Sequence, residues 1–230
     1  MKKRTQKFLT AVLTAAMLTS TQGDGGMSNN TKVFAAYTNK SNSQKVIKID
    51  GSTANKNPQT AYRGIGAVSC NGTSRLMMDY KEKNPKAYWE IMRWLFDKDE
   101  GAGLSLVKVE LGCDLDTSSG AEPATKRSED EKANVNRGAG FMFAHDAQVI
   151  NPDVEVDMLC WSMPEWVSEE YEVSAKKGYQ ARYKWYKETI DAVYDTWNVK
   201  VNYVSANKNE KELEVDWTIY LANALENEKK

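Results

Sequence analysis

Tyr203-Val204-Ser205-Ala206-Asn207-Lys208-Asn209-Glu210 is a segment whose pattern recurs along the whole chain. It predicts a short buried strand that stops at an Asn-Glu pair, and a helix follows from about Glu214. A carboxylate just after the C-terminal end of a strand and before a helix has the position at which a βα-barrel carries its catalytic groups. The alternative is an exposed loop glutamate in a charged segment. The upstream sequence favours the first interpretation, because it repeats the strand followed by a polar cluster three more times.

Strands and helices are predicted to alternate along the chain. Alternation at this spacing indicates parallel strands with helical crossovers, either in a doubly wound sheet or in a closed barrel. The polar or aromatic cluster after each strand favours the barrel. After a short strand at Val46–Gly51, the predicted strands are Tyr62–Ser69, Leu104–Leu111, Val154–Cys160 and Val199–Ser205, and the predicted helices are Pro85–Phe96, Ala133–Val149, Gly178–Trp197 and Glu214–Glu226.

The length predicts only part of such a barrel. A (β/α)8 TIM barrel typically needs about 250 residues, and about 195 remain here after the N-terminal segment. Those residues hold four strand–helix pairs. We therefore predict an α/β chain in which residues 37–230 form the N-terminal part of a TIM-barrel catalytic domain, containing only about the first four βα units.

The N-terminal segment has the features of a secretory signal. Met1-Lys2-Lys3-Arg4 is a basic start, and an apolar run follows from Phe8 to Leu18. Residues 1–36 are predicted to comprise the signal peptide and a disordered Gly/Ser/Asn-rich segment, with cleavage either after Ala35 or near Ser20–Gly23. No later run has the length of a transmembrane helix. The prediction is an exported, extracellular protein, and the short basic start suits a bacterial exporter.

Composition and scattered residues exclude several other functions. A net charge of −1 and a pI near 6.0 give no electrostatic footprint for nucleic acid. Gly64-x-Gly66-x-x-Ser69 lacks the third glycine of a dinucleotide fingerprint, and no helix is predicted to open directly after it. His145 is predicted to be a structural or surface residue, and no GxSxG accompanies it. Cys70, Cys113 and Cys160 are expected to be small buried groups, with one disulfide as the alternative.

Four carboxylates follow or end predicted strands: Glu110, Asp114, Glu165 and Glu210. Glycoside hydrolysis commonly uses two carboxyl groups, one as acid and one as nucleophile or base, and it requires no metal or other cofactor. Glu210 has the best context, because Asn209 beside it can donate to a sugar 2-hydroxyl. For Glu110 a structural role is as plausible as catalysis, and Asp114 and Glu165 could equally line or cap the pocket. Trp161 could supply a stacking wall and partial desolvation.

Five motifs together carry a family resemblance. They are similar, in order and spacing, to those of the galactocerebrosidase family, glycoside hydrolase family 59. They cover roughly Tyr62 to Glu228. The motifs are Gly64-Ile65-Gly66-Ala67-Val68-Ser69 with Thr73-Ser74-Arg75-Leu76, Lys108-Val109-Glu110-Leu111-Gly112, Gly120-Ala121-Glu122-Pro123, Trp161-Ser162-Met163-Pro164-Glu165-Trp166, and Asn209-Glu210.

The resemblance implies a retaining β-galactosidase on a TIM barrel with an accompanying β-sandwich, acting on galactosylceramide-like substrates. By the same resemblance Glu210 is the acid/base, Asn209 binds the sugar and Trp161 contacts galactose. Ser118 stands where the family has a galactose-binding Thr, with Thr117 beside it. No metal site is implied.

Two departures from the family affect the expected activity. Lys208 stands where the animal enzymes have Trp, which could loosen the packing of the acid. The family's nucleophile is a Glu after the seventh strand, and it is missing from these residues. If these 230 residues are the whole product, we expect little or no hydrolysis. The alternatives are a non-catalytic carbohydrate-binding half-barrel and a different retaining TIM-barrel β-glycosidase.

Overall fold

The computed structural model describes residue 57 and residues 62–70, 72–114, 122–207 and 212–228. The predicted signal segment and the short strand at Val46–Gly51 lie outside these residues. Along the described chain the elements are β1 Gly66–Ser69, α1 Thr73–Lys83, α2 Pro85–Phe96, β2 Leu106–Leu111, α3 Gly140–Ile150, β3 Glu155–Cys160, α4 Glu165–Val173, α5 Ala175–Trp197, β4 Tyr203–Ser205 and α6 Val215–Asn227.

The described strands form one four-stranded parallel sheet. Their spatial order is β1-β2-β3-β4, the same as their order in the chain. In the register, Ser69 pairs with Val109, Leu111 pairs with Cys160, and Leu159 pairs with Ser205. All strand C-termini therefore lie at one edge of the sheet. The prediction of parallel strands joined by helical crossovers is confirmed.

The two faces of the sheet differ in chemistry. Alternate strand residues belong to one hydrophobic core together with the helices, and they are Val107, Val109, Leu111, Val156, Met158 and Cys160. The other face carries polar groups: Lys108 Nζ lies 3.1 Å from Asp157 Oδ2, and Ser205 Oγ lies 3.4 Å from Asp157 Oδ1. On that face Val68 is 53% exposed. The part of the chain that the structure describes thus packs its helices against one face.

Helix α2 follows its sequence signals closely. Asn84 caps it by accepting a hydrogen bond from Ala87 N at 3.3 Å, and Pro85 occupies the first turn, where no amide partner is needed. Tyr88, Met92 and Phe96, spaced by four residues, are fully buried. The predicted amphipathic helix at Pro85–Phe96 is confirmed with the same bounds.

Helices α1 and α4 were not predicted. Helix α1 does not follow β1 directly, in agreement with the prediction, but begins at Thr73 after a turn. Gly72, at φ 76°, makes this turn possible, and Thr73 N donates to Cys70 O at 3.0 Å. The motif from Trp161 to Trp166 was not predicted to contain the start of a helix. After Pro164 it instead enters α4, whose first residue is Glu165.

Two predicted elements are shorter than expected. The strand expected from Val199 begins only at Tyr203, because the Asn202 side chain takes a ladder position and accepts from Val156 N at 3.0 Å. The helix expected from Ala133 begins at Gly140, because the preceding residues form turns. One of these turns is closed by Arg137 N donating to Asn134 O at 3.4 Å.

The segment 122–139, which connects β2 to α3, packs against α4 and α5. The indole nitrogens of Trp166 and Trp185 donate to Lys126 O at 3.2 Å and to Thr125 Oγ1 at 3.1 Å. Thr125 and Thr189 hydroxyls are hydrogen-bonded at 2.7 Å, and the buried Lys126 ammonium pairs with Glu188. None of the described helices combines the length and apolar character that a membrane span requires.

Candidate active site

The C-terminal edge of the sheet brings the candidate groups of successive strands together. Because Leu111 pairs with Cys160, the residues that follow them, Gly112 and Trp161, leave the sheet at the same level. Trp161 is half-buried there. It is the one predicted site residue within the described chain. Thr117, Ser118, Asn209 and Glu210 lie outside the described residues, so their roles remain predictions.

Asp114 anchors the segment that leaves β2. Its backbone has φ 62°, and its carboxylate accepts from Arg127 Nε at 2.6 Å and from Arg127 Nη2 at 3.3 Å. The Arg127 hydrogen bond holds the pKa of Asp114 below its ordinary value. Glu165, another candidate acid, is exposed at the first turn of α4. The positive end of the helix dipole stabilises a carboxylate at this position. The geometry gives both residues structural roles.

Glu110 and Glu122 form a buried acidic pair behind this edge. Glu110 is 2% exposed and accepts from Glu122 N at 3.2 Å. The Glu122 carboxylate accepts from Ala139 N at 2.9 Å and from the Ser74 hydroxyl. Glu122 thereby joins β2, α1 and the start of α3. For Glu110 these contacts favour the structural role over the catalytic one.

Two glycines make this close packing possible. A Cβ on Gly112 would lie 1.9 Å from Glu122 O, and a Cβ on Gly138 would lie 2.2 Å from Glu122 Oε2. Neither distance is compatible with a side chain. Gly112 and Gly138 therefore both leave the space that Glu122 occupies.

The three cysteines are free thiols, and Cys113 and Cys160 are buried, as predicted for small core groups. Burial raises the pKa of the Cys70 thiol, and the nearby Glu110 and Glu122 carboxylates raise it further. Cys70 is therefore held as a neutral thiol at pH 7. His145 lies on α3, where its ring packs at 5.3 Å from Trp197 and its Nδ1 lies 3.2 Å from Asp146 Oδ1. These contacts agree with the predicted structural role.

The exit from β4 is held by buried side chains of α5 and α6. Arg182 Nη2 donates to Ala206 O at 2.7 Å, and Trp217 Nε1 donates to the same oxygen at 2.9 Å. Tyr186 OH donates to Ser205 O at 3.0 Å. Burial raises the pKa of Tyr186 well above its ordinary value, so its hydroxyl stays protonated.

Sequence reasoning did not single out Glu122 or Arg182. Glu122 stands in the Gly120–Pro123 motif, and nothing in the neighbouring residues indicates that its side chain is buried. Arg182 had a usable signal. It stands in the stripe Gly178, Arg182, Trp185, Tyr186, Thr189 and Val193, which repeats at helical spacing and is buried throughout. A charged residue in an apolar stripe indicates a specific buried partner.

The comparisons with known proteins identify the class of the chain. The family described as Glycosyl hydrolase family 59 matches residues 62–230. This chain belongs to that family, as its five motifs predicted. It is 31% identical over 157 residues to the galactocerebrosidase of Danio rerio and 38% identical over 111 residues to that of Mus musculus.

These matches cover unequal shares of the proteins compared. The match to the Danio rerio protein spans 68% of this chain and 21% of that protein. The match to the Mus musculus protein spans 48% of this chain and 16% of that protein. The chain therefore spans about a fifth or less of the length of these relatives. Among solved structures, SrfJ from Salmonella typhimurium has a TM-score of 0.56 at 15% identity, over 72% of this chain and 41% of that one. That likeness supports the α/β fold alone.

Proposed function

We propose that this chain forms part of a retaining glycoside hydrolase that removes terminal β-galactose from galactosylceramide or similar β-galactosides. Its family membership and its likeness to galactocerebrosidases support the substrate class. The observation that carries the proposal is the arrangement at one sheet edge. There Trp161 and the segment leading to Asn209–Glu210 follow neighbouring parallel strands.

We further propose that β1–β4 are the first four strands of a TIM barrel. Strands that succeed one another in space in chain order fit a barrel, whereas a doubly wound sheet reverses its order at a switch point. Helices on one face also fit a barrel, because a doubly wound sheet is covered on both faces. The polar face with Lys108 and Asp157 then becomes the barrel interior.

The proposed reaction proceeds in two balanced steps. A carboxylate nucleophile attacks the anomeric carbon while the bond to the leaving-group oxygen breaks, and Glu210 donates its proton to that oxygen. Glu210 then removes a proton from water, whose oxygen attacks the same carbon and releases the nucleophile. Asn209 donates to the 2-hydroxyl, and Trp161, Thr117 and Ser118 hold the galactose. We assign the nucleophile to no residue of this chain.

The test compares two aryl β-galactosides in the native gene product. Phenyl galactoside needs a proton at its leaving oxygen, whereas 2,4-dinitrophenyl galactoside departs as a stable anion. Glu210→Gln is expected to lower kcat/KM on phenyl galactoside by about 10²- to 10⁴-fold, with a much smaller loss on the dinitrophenyl substrate. Equal losses on both substrates, or full activity on phenyl galactoside, would remove Glu210 from the acid role.

Export is a separate proposal. Residues 1–36 direct secretion by our interpretation, with cleavage after Ala35 or near Ser20–Gly23. N-terminal sequencing of the protein from culture medium decides between the two sites. An intact Met1 in a purely intracellular product would refute the assignment.

A further inference from the structure

The Cys160 thiol spans the turn that presents Trp161. Cys160 is the last residue of β3, and it is 1% exposed. Its sulfur donates to the backbone oxygen of Ser162 at 3.5 Å, across the intervening Trp161. This hydrogen bond joins the end of the strand to the residue on the far side of Trp161, so it restricts the backbone on both sides of that residue.

The surroundings of the sulfur direct its proton to Ser162. Arg182 Nη2 lies 3.7 Å from Cys160 Sγ, and a guanidinium carries only donors, so the sulfur is an acceptor towards Arg182. The Tyr186 hydroxyl also lies beside the sulfur, and it donates its own proton to Ser205 O at 3.0 Å. This leaves the S–H hydrogen to the Ser162 carbonyl.

The fold fixes both ends of the link from β3 to α4. At its start, Cys160 pairs with Leu111 in the parallel sheet. At its end, Pro164 O accepts from Val167 N at 3.0 Å in the first turn of α4, and Val167 is fully buried in the core. Between these two anchors the thiol hydrogen bond is a third restraint, and it acts on the residues that flank Trp161.

We propose that Cys160 is a positioning residue for Trp161, the residue proposed to stack on galactose. This inference rests on the proposed function of Trp161 and deepens it. Trp161 is half-buried, so part of it remains accessible to a ligand at the sheet edge. A ring that is already held in the bound orientation loses less conformational freedom when the sugar binds, and this increases affinity. The buried thiol supplies that restraint from within the turn.

Three variants separate this role from a general packing role. Cys160→Ala removes the donor, whereas Cys160→Ser keeps a hydroxyl that can donate to the same carbonyl. Cys113→Ala is the matched control, because Cys113 is 2% exposed and is also a buried thiol just beyond the end of its strand, β2. Each variant changes one buried sulfur, so a general loss of core packing should affect both alanine variants alike.

The first experiment observes Trp161 directly in the native gene product labelled with 5-fluorotryptophan. Trp161→Phe identifies the fluorine NMR signal of Trp161, because that signal disappears. Cys160→Ala is expected to shift or broaden the Trp161 signal more than any other tryptophan signal. Cys160→Ser should return it towards its original position, and Cys113→Ala should leave it in place. An unchanged Trp161 signal in Cys160→Ala overturns the proposal, as do equal changes at all tryptophans.

The second experiment measures galactose affinity by isothermal titration. Cys160→Ala is expected to weaken binding about threefold, the size of effect that the loss of one weak hydrogen bond produces. Cys160→Ser should retain most of the affinity. In a Trp161→Ala background, Cys160→Ala should cause no further loss, because the ring through which it acts is absent. An equal loss in both backgrounds, or an equal loss in Cys113→Ala, overturns the positioning role.

The outcomes separate this inference from the proposed function. If Trp161→Ala weakens galactose binding and Cys160→Ala does not, only the Cys160 inference fails. If Trp161→Ala leaves the affinity unchanged, the proposed galactose contact fails. The fluorine signal alone then decides whether Cys160 holds Trp161: a change centred on Trp161 supports the positioning, and an unchanged signal overturns it.

Discussion

The backbone N–H of Glu122 donates to the Oε1 atom of Glu110 at 3.2 Å, so two buried acids lie together where β2 ends. Glu122 has its own donors in Ser74 and Ala139, which places it among α1, β2 and α3. This arrangement is a structural joint behind the candidate active site.

Removing the Glu122 carboxylate should destabilise the protein. Glu122→Ala leaves the Ser74 hydroxyl and the Ala139 N–H buried without an acceptor, and each unsatisfied group costs about 1–3 kcal/mol. Urea unfolding is expected to show a loss of about 2 kcal/mol or more in the free energy of unfolding. The control is Glu165→Ala, whose exposed carboxylate is worth about 0.3–1 kcal/mol at its helix terminus. Equal losses of unfolding free energy in the two variants would contradict the structural role of Glu122.

Cys70 should report the charge of the same acids. Because burial, Glu110 and Glu122 together raise the pKa of Cys70, Glu122→Gln is expected to lower that pKa. The measurement is the midpoint pH of iodoacetamide alkylation at Cys70, read from its peptide mass. Glu165→Gln serves as the control and should leave the midpoint unchanged. A higher alkylation rate without a lower midpoint would indicate local opening instead of an electrostatic effect.

Acid should weaken the segment that follows β2. The folded-state pKa values of Asp114 and Glu131 lie below their ordinary values because Arg127 and Arg137 bond to them. Their contribution is therefore present above about pH 4, the unfolded value, and is lost as pH falls through the folded values. Asn tolerates the positive φ of position 114, so Asp114→Asn tests the charge alone. This variant should lower the free energy of unfolding at pH 7 and reduce the difference in that free energy between pH 7 and pH 3. Exposed Asp130→Asn should do neither.

Trp161 should contribute to galactose affinity through its ring. Trp161→Ala is expected to weaken galactose binding about tenfold, the equivalent of about 1.4 kcal/mol for a lost stacking surface. Trp161→Phe should retain most of the affinity. Isothermal titration with galactose measures both variants, and thermal unfolding verifies that they are folded. Equal affinity in all three proteins would place the sugar elsewhere.

Much of the fold could be predicted because its signals are local. The α2 helix has a cap, a first-turn proline and an apolar stripe within thirteen residues. The parallel strands followed from the alternation of predicted strands and helices. The position of Trp161 directly after β3 is confirmed, and its contact with galactose stays a prediction. The family was evident from five short motifs in order, and the match over residues 62–230 confirms it.

The rest depends on contacts distant in the chain. Ser74 and Glu122 are 48 residues apart, and Arg182 and Ala206 are 24 apart. No local pattern specifies which partner a buried acid or arginine finds. Helix α1 was missed because its start depends on the left-handed backbone of Gly72, and Gly-Thr-Ser there resembles an ordinary loop.

The packing of segment 122–139 against α4 and α5 has a consequence for how the protein opens and evolves. Thr125 and Lys126 are hydrogen-bonded to side chains of α4 and α5, the two helices that follow β3. The second and third βα units therefore cannot unfold one at a time, and they should behave as one cooperative foldon. For the same reason a recombination event between homologues that cuts between α3 and β3 would separate the segment from its hydrogen-bond partners, whereas exchange of both units together would preserve these contacts.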